Sequence, residues 1–147
     1  AVGAGDWARA RRVAWLGGSL SLACTALIGL AVALMPLQFA RLFSADAEVV
    51  AVAARALRYT GFAFGAFGLG MSMYFASMGA QRMGAAVLAV LARLGTATGL
   101  GWCLAHGFWG LGGWPGMGPD GHFLGVALGM SAYGLLSARG VRHAVWR

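Results

Sequence analysis

Apolar residues fall in four long runs, and the short segments between them carry nearly all of the charge. The first run, Val13 to Leu37, holds no charged residue and closes at Pro36 and Gln38. A hydrocarbon core about 30 Å thick is crossed by about 20 apolar residues at about 1.5 Å of rise each. A second helix is expected from about Ala47 to Ala80, with the span itself taken as 49–80. Arg55 and Arg58 occupy its early turns, and it is uncharged from Tyr59 onward. That length exceeds what a bilayer requires, so its first turns should project or tilt. The third run, Ala85 to Ala105, is apolar apart from Arg93, and the fourth covers His122 to Ala138.

The connecting segments read as turns. Phe39 to Phe43 (FARLF) is an amphipathic turn at the interface, and Ser44 to Glu48 (SADAE) supplies a cap, with Ser44 as the expected N-cap residue. Gly79 to Gly84 (GAQRMG) is a short turn, and Gly107 to Gly121 is a loop rich in glycine, proline and tryptophan. The pattern predicts an all-α membrane protein of four transmembrane helices. Residues 1–12 are the end of a cytoplasmic loop, and residues 13–147 form the transmembrane unit.

Composition supports this class. Of 147 residues, 60% are hydrophobic and 10% charged, with a mean hydropathy of +0.74. An ordinary soluble domain is roughly 25% charged. The net charge of +7 comes from eleven arginines and no lysine. Those arginines sit at helix ends and not along one face, which excludes a nucleic-acid surface and suits membrane orientation. The first, third and fifth polar segments hold seven of them: Arg9, Arg11, Arg12, Arg82, Arg139, Arg142 and Arg147. Positive-inside bias therefore puts both chain ends in the cytoplasm. The six tryptophans, Trp7, Trp15, Trp102, Trp109, Trp114 and Trp146, all fall near span ends, where amphipathic rings favour the interface.

Glycines recur at four-residue spacing with small partners: Gly17 with Ser21, Gly61 with Gly65, Gly95 with Gly99, Gly125 with Gly129. In lipid, such pairs let helix backbones approach closely. Cys24 and Cys103 each lie within an apolar run and form no metal spacing or disulfide framework. The start, with no initiator Met, reads as the middle of a longer protein.

Three segments carry a family likeness: GAGDWARARR (Gly3 to Arg12), LFSADAEVVAVAARALR (Leu42 to Arg58) and FGLGMSMYFASMGAQR (Phe67 to Arg82). In this order and spacing they resemble loops and helices of the multidrug and toxic-compound extrusion (MATE) transporters, and the similarity runs on through Arg93 and the last span. The resemblance implies a twelve-helix, two-lobed transporter, of which the chain would supply about the ninth to twelfth helices. Its partners would then be the missing N-terminal helices, the lipid bilayer and small organic solutes. The implied activity is antiport at the plasma membrane: sodium or a proton runs inward while an organic, often cationic, solute leaves. Alternatives are a lipid-linked-precursor flippase of related architecture, or a small structural anchor subunit.

Some members of that family carry an acid in the helix matching Ala47 to Ala80. Here Tyr59 to Ala80 holds no Asp or Glu, so the coupling-ion site is expected outside this chain.

Candidate chemistry is sparse. Arg93 lies about nine residues, roughly 13 Å, into its span, where a charge should face the bundle and pair with an acid or with carbonyls. Met71, Tyr74, Phe75 and Met78 share one helical face, with Met73 pointing elsewhere. Thioethers and aromatic faces suit a cavity for flat or cationic solutes, and Tyr74 is the foremost candidate. His106, Asp120 and His122 border the outer loop but match no ligand spacing, and solvated interface positions are expected for them. No nucleophile with a base, HExxH motif or carboxylate pair lies within the spans, so no enzyme is expected.

Overall fold

The computed structural model describes Gly3, residues 5–107 and residues 116–144, and every regular element among them is helical. Trp109, Trp114, Trp146 and Arg147 lie outside the described residues, as does most of the loop before the fourth span.

Helix α1 (Trp7–Leu34) begins inside the segment expected to be a loop. Asp6 is its N-cap, and Asp6 Oδ1 accepts the Arg9 backbone N–H at 2.9 Å. A capping aspartate followed by the good helix formers of WARARR starts the helix ahead of the apolar run. Pro36 then opens the short helix α2 (Pro36–Arg41), at the first position, where a missing N–H costs no bond. Helix α3 (Ala47–Gly61) is capped by Asp46 and not by Ser44. Asp46 Oδ1 accepts the N–H groups of Glu48 at 2.8 Å and Val49 at 3.3 Å, while Ser44 Oγ accepts from Asp46 N at 3.2 Å. Ser44 therefore supports the cap from one step outside.

The long second helix is broken. Helix α4 (Phe64–Gly79) leaves α3 at a bend of 61° across Phe62 and Ala63. Two local causes meet there. Thr60 Oγ1 donates back to the Ala56 carbonyl at 2.9 Å, and the Ala63 N–H donates to Thr60 O at 2.9 Å, a tightened three-residue turn. The excess length noted in the sequence is thus a separate, angled helix.

Helix α4 stops where Gln81 takes the left-handed conformation, with φ of 56°. The Arg82 N–H reaches Ser77 O at 3.0 Å, a Schellman-type end built on a non-glycine residue. Helix α5 (Gly84–Gly95), a π-helical turn (Thr96–Leu100) and α6 (Gly101–His106) form the third rod. Helix α7 (Pro119–Arg139) runs into a second π turn (Gly140–Ala144).

Three of these helices are long and apolar enough to cross a membrane: Trp7–Leu34, Gly84–His106 and Pro119–Arg142. The bent α3–α4 pair makes a fourth span if it is taken as one. In space α4 lies between α1 and α7, and α7 lies between α4 and the α5–α6 rod. Helix α3 rests against α1, α2 and α7. Two alanine-rich clusters hold the ends. Ala10, Ala14, Met73, Ala80 and Val141 gather the start of α1, the end of α4 and the chain beyond α7. Ala40, Val50 and Ala54 join α2 to α3. At the first cluster the Arg82 guanidinium lies 5.5 Å from the centre of the Trp7 ring, so two of the arginine-bearing segments share one end of the bundle.

Large apolar side chains face outward, with Leu16, Leu20, Leu27 and Leu88 each about two-thirds exposed. This surface suits hydrocarbon or neighbouring apolar helices, and with the helix lengths it marks a multi-pass membrane protein.

Candidate functional site

Arg93 sits in the last turn of α5, and its backbone carbonyl lies against Gly129 of α7. A Cβ on Gly129 would come within 2.8 Å of that oxygen, so only glycine admits this approach. From there the side chain carries its guanidinium carbon to 4.8 Å from the Phe67 ring centre and 5.7 Å from the Tyr133 ring centre. The two rings are 6.0 Å apart and tilted by 40°. Among the described residues Arg93 makes no ion pair with a carboxylate, the first of the two partners expected for it, an acid or carbonyls. The physical reason is that a planar, weakly hydrated guanidinium is stabilised by ring faces, whereas a partner acid would itself need desolvating.

Tyr133 is the anchor of this cluster. It is 1% exposed, and its hydroxyl donates to Met71 Sδ at 3.7 Å. Gly70 gives the ring its place: a Cβ there would meet Tyr133 Cδ1 and Cε1 at 2.5 Å. Of the residues singled out in the sequence, Met71 and Arg93 therefore meet, both through Tyr133. Tyr74 is half-buried and edge-on to Phe75, with ring centres 5.8 Å apart. Phe75 and Met78 are exposed and are not brought to Arg93. Met73 points away, fully buried in the seam between α1 and α4, where it fills the space over Gly18. Sequence reasoning passed over Phe67 and Tyr133. Phe67 lies four residues before Met71, on the same helical face, and Tyr133 is a hydroxyl-bearing ring in the middle of the last apolar run. Both signals were present.

A second feature lies between α3 and α7. A groove of about 690 Å³ is lined by Arg55, Arg58, Tyr59, Phe62, Leu124 and Leu128, among others. At one end Arg55 Nη1 stands 3.6 Å from Asp120 Oδ1. Pro119 opens α7, so Asp120 belongs to its first turn and not to a solvated loop. Its Oδ1 is buried and accepts no hydrogen bond, leaving Arg55 as its charge partner. This pair joins residues distant in sequence, and spacing alone could not announce it. Ser131 in the groove wall and Tyr133 in the aromatic cluster are two residues apart, hence about 200° apart around α7. The two features use opposite faces of one helix.

His106 and His122 also come together. The His106 ring stacks on Trp102 with centres 4.0 Å apart, and His122 lies edge-on to His106 at 5.7 Å. Among the described residues no group of three or more His, Cys, Asp or Glu side chains could hold a metal ion. Cys24 and Cys103 are free thiols.

Comparison with known proteins places these features in context. A family model described as MatE matches residues 1–103, from the start of the chain into α6. No match was found among curated proteins or among solved structures. Helix α7 lies beyond the matched stretch, yet it packs on α4, α5 and α6 and completes both features described above. With a match over more than half its length, the chain belongs to the MatE family of membrane transporters.

Proposed function

We propose that this chain forms part of a cation-coupled antiporter that exports organic, often cationic, solutes across the plasma membrane, with the Arg93 cluster bordering the solute path. The observation that carries the reading is the seat of Arg93 on Phe67 and Tyr133 beside the Met71 thioether. Ring faces and a thioether that accommodate a tethered cation in apolar surroundings have the chemistry to accept a mobile one. Tyr74, Phe75 and Met78 continue the same face of α4 toward open space and extend the candidate lining. The coupling ion, sodium or a proton, is held by a carboxylate outside this chain. Asp120, in the first turn of α7, is already engaged by Arg55. A flippase for lipid-linked precursors calls for several arginines along one cavity, whereas Arg55 and Arg58 line the opposite face of α7 from Arg93. The protein acts by moving solutes and not as an enzyme.

The test is accumulation of a fluorescent organic cation in cells producing the complete gene product. Export should lower accumulation, and collapse of the ion gradient should abolish the effect. Arg93→Gln should alter solute preference by about tenfold while protein level in the membrane is kept. Accumulation that is unchanged under an intact gradient overturns the reading.

A further inference from the structure

The groove between α3 and α7 is graded along its length. The two helices run in the same direction along it, since Arg55 meets Asp120 at one end and Ala63 lines the groove together with Ala127 farther on. Asp120 to Leu128 is eight residues, or about 12 Å of helix rise. Over that distance the lining passes from Arg55 and Asp120, through Arg58 and Tyr59, to Phe62 and Leu128. Two arginines face one carboxylate. Among the described residues none pairs with Arg58, which is exposed at the groove wall. At the other end Phe62 is 66% and Leu128 42% exposed, and the hydroxyl nearby, that of Ser131, is already donated to the Ala127 carbonyl of its own helix. A cationic mouth at a helix end, opening onto an apolar wall deeper along the same helices, is complementary to a molecule with an anionic head and a hydrocarbon tail.

We propose that this groove holds one anionic phospholipid, its phosphate at Arg58 and Arg55 and an acyl chain along Phe62 and Leu128. The apolar wall distinguishes this occupant from a free phosphate, whose contacts would end at the arginines. The excess of one positive charge distinguishes it from a zwitterionic lipid, whose own cation the arginines would repel. Asp120 then acts as an internal competitor: its carboxylate holds Arg55 and weakens the site. This reading is independent of the transport activity.

The experiment is native mass spectrometry of the purified, detergent-solubilised protein offered equal amounts of phosphatidylglycerol and phosphatidylcholine. Phosphatidylglycerol should be retained about fivefold over phosphatidylcholine, the scale of one arginine against an anionic lipid. Arg58→Gln should bring the ratio close to one, and Arg58→Lys should keep most of it, both checked for native helicity by circular dichroism. Asp120→Asn should raise retention about two- to fivefold, an outcome that loss of a merely structural ion pair would not produce. Equal retention of the two lipids, an unaltered ratio in Arg58→Gln, or a drop in Asp120→Asn overturns the proposal. Displacement of the lipid by millimolar inorganic phosphate would show a bare anion site and overturn the role given to Phe62 and Leu128.

Discussion

Gly29 and Gly61 put the backbones of α1 and α3 in direct contact: a Cβ on Gly61 would lie 2.7 Å from the Gly29 carbonyl oxygen and 2.9 Å from Ala33 Cβ. Gly61 is also the last residue of α3, one step before the bend. The crossing and the bend therefore share a residue, and the angle of α3 is tied to α1. Because the obstructing atoms include backbone, they cannot swing aside as a side chain would. Gly61→Ala is expected to cost about 1–3 kcal/mol, the range for overpacking. Gly95→Ala is the control, since a Cβ there meets nothing within 4 Å and helix propensity favours alanine by up to about 1 kcal/mol. Thermal unfolding in detergent should move in opposite directions for the two variants.

Arg93 and Phe67 are expected to be energetically coupled. A double-mutant cycle with Arg93→Gln and Phe67→Leu should return about 0.5–2 kcal/mol of interaction, the span for exposed to desolvated cation–ring contacts. A coupling near zero in unfolding experiments would mean that the guanidinium gains nothing from that ring.

Asp46 carries the cap of α3 through two backbone N–H groups, and Ser44 contributes only through Asp46. Asp46→Ala should destabilise the protein by about 1 kcal/mol. Ser44→Ala should cost clearly less, and equal losses in chemical unfolding would contradict the assignment of the cap.

Gln81 ends α4 at a φ that favours glycine. Gln81→Gly should stabilise the protein by about 1 kcal/mol through relief of the left-handed strain, read as a rise in melting temperature.

The legibility of this chain in its sequence divides along physical lines. Uninterrupted apolar runs announce membrane-crossing helices because hydrocarbon demands length and the absence of charge, and the third and fourth runs correspond to helices. The start of α1 was obscured because Asp6 and three arginines read as a loop, while a capping aspartate and high helix propensity suffice to begin a helix in water. The break at Phe62 was obscured because its causes are hydrogen bonds of Thr60, which bonds back to its own helix and accepts from Ala63, and the crossing with Gly29 that fixes the adjacent Gly61 joins residues far apart in sequence. The Arg93 site was legible in part. A lone charge in a span is expected to face the bundle, but the choice of ring faces over a carboxylate depends on which helices are neighbours. Asp120 was misplaced for a related reason: a glycine-rich stretch reads as loop until Pro119 is seen to open a helix.

The π-helical turn at Thr96–Leu100 bears on the seam between the third rod and α7. Arg93, Ala97, Gly101 and Ala105 abut Gly129, Gly125 and Gly121 of α7, a strict repeat of four. On an α-helix of 3.6 residues per turn such a repeat slips by about 40° at each step and would wind away from its partner. The wider turn winds more residues into one revolution and takes back part of that slip. It works as a phase correction on the third rod, holding the backbone of Arg93, Ala97, Gly101 and Ala105 in mesh with the glycines of α7.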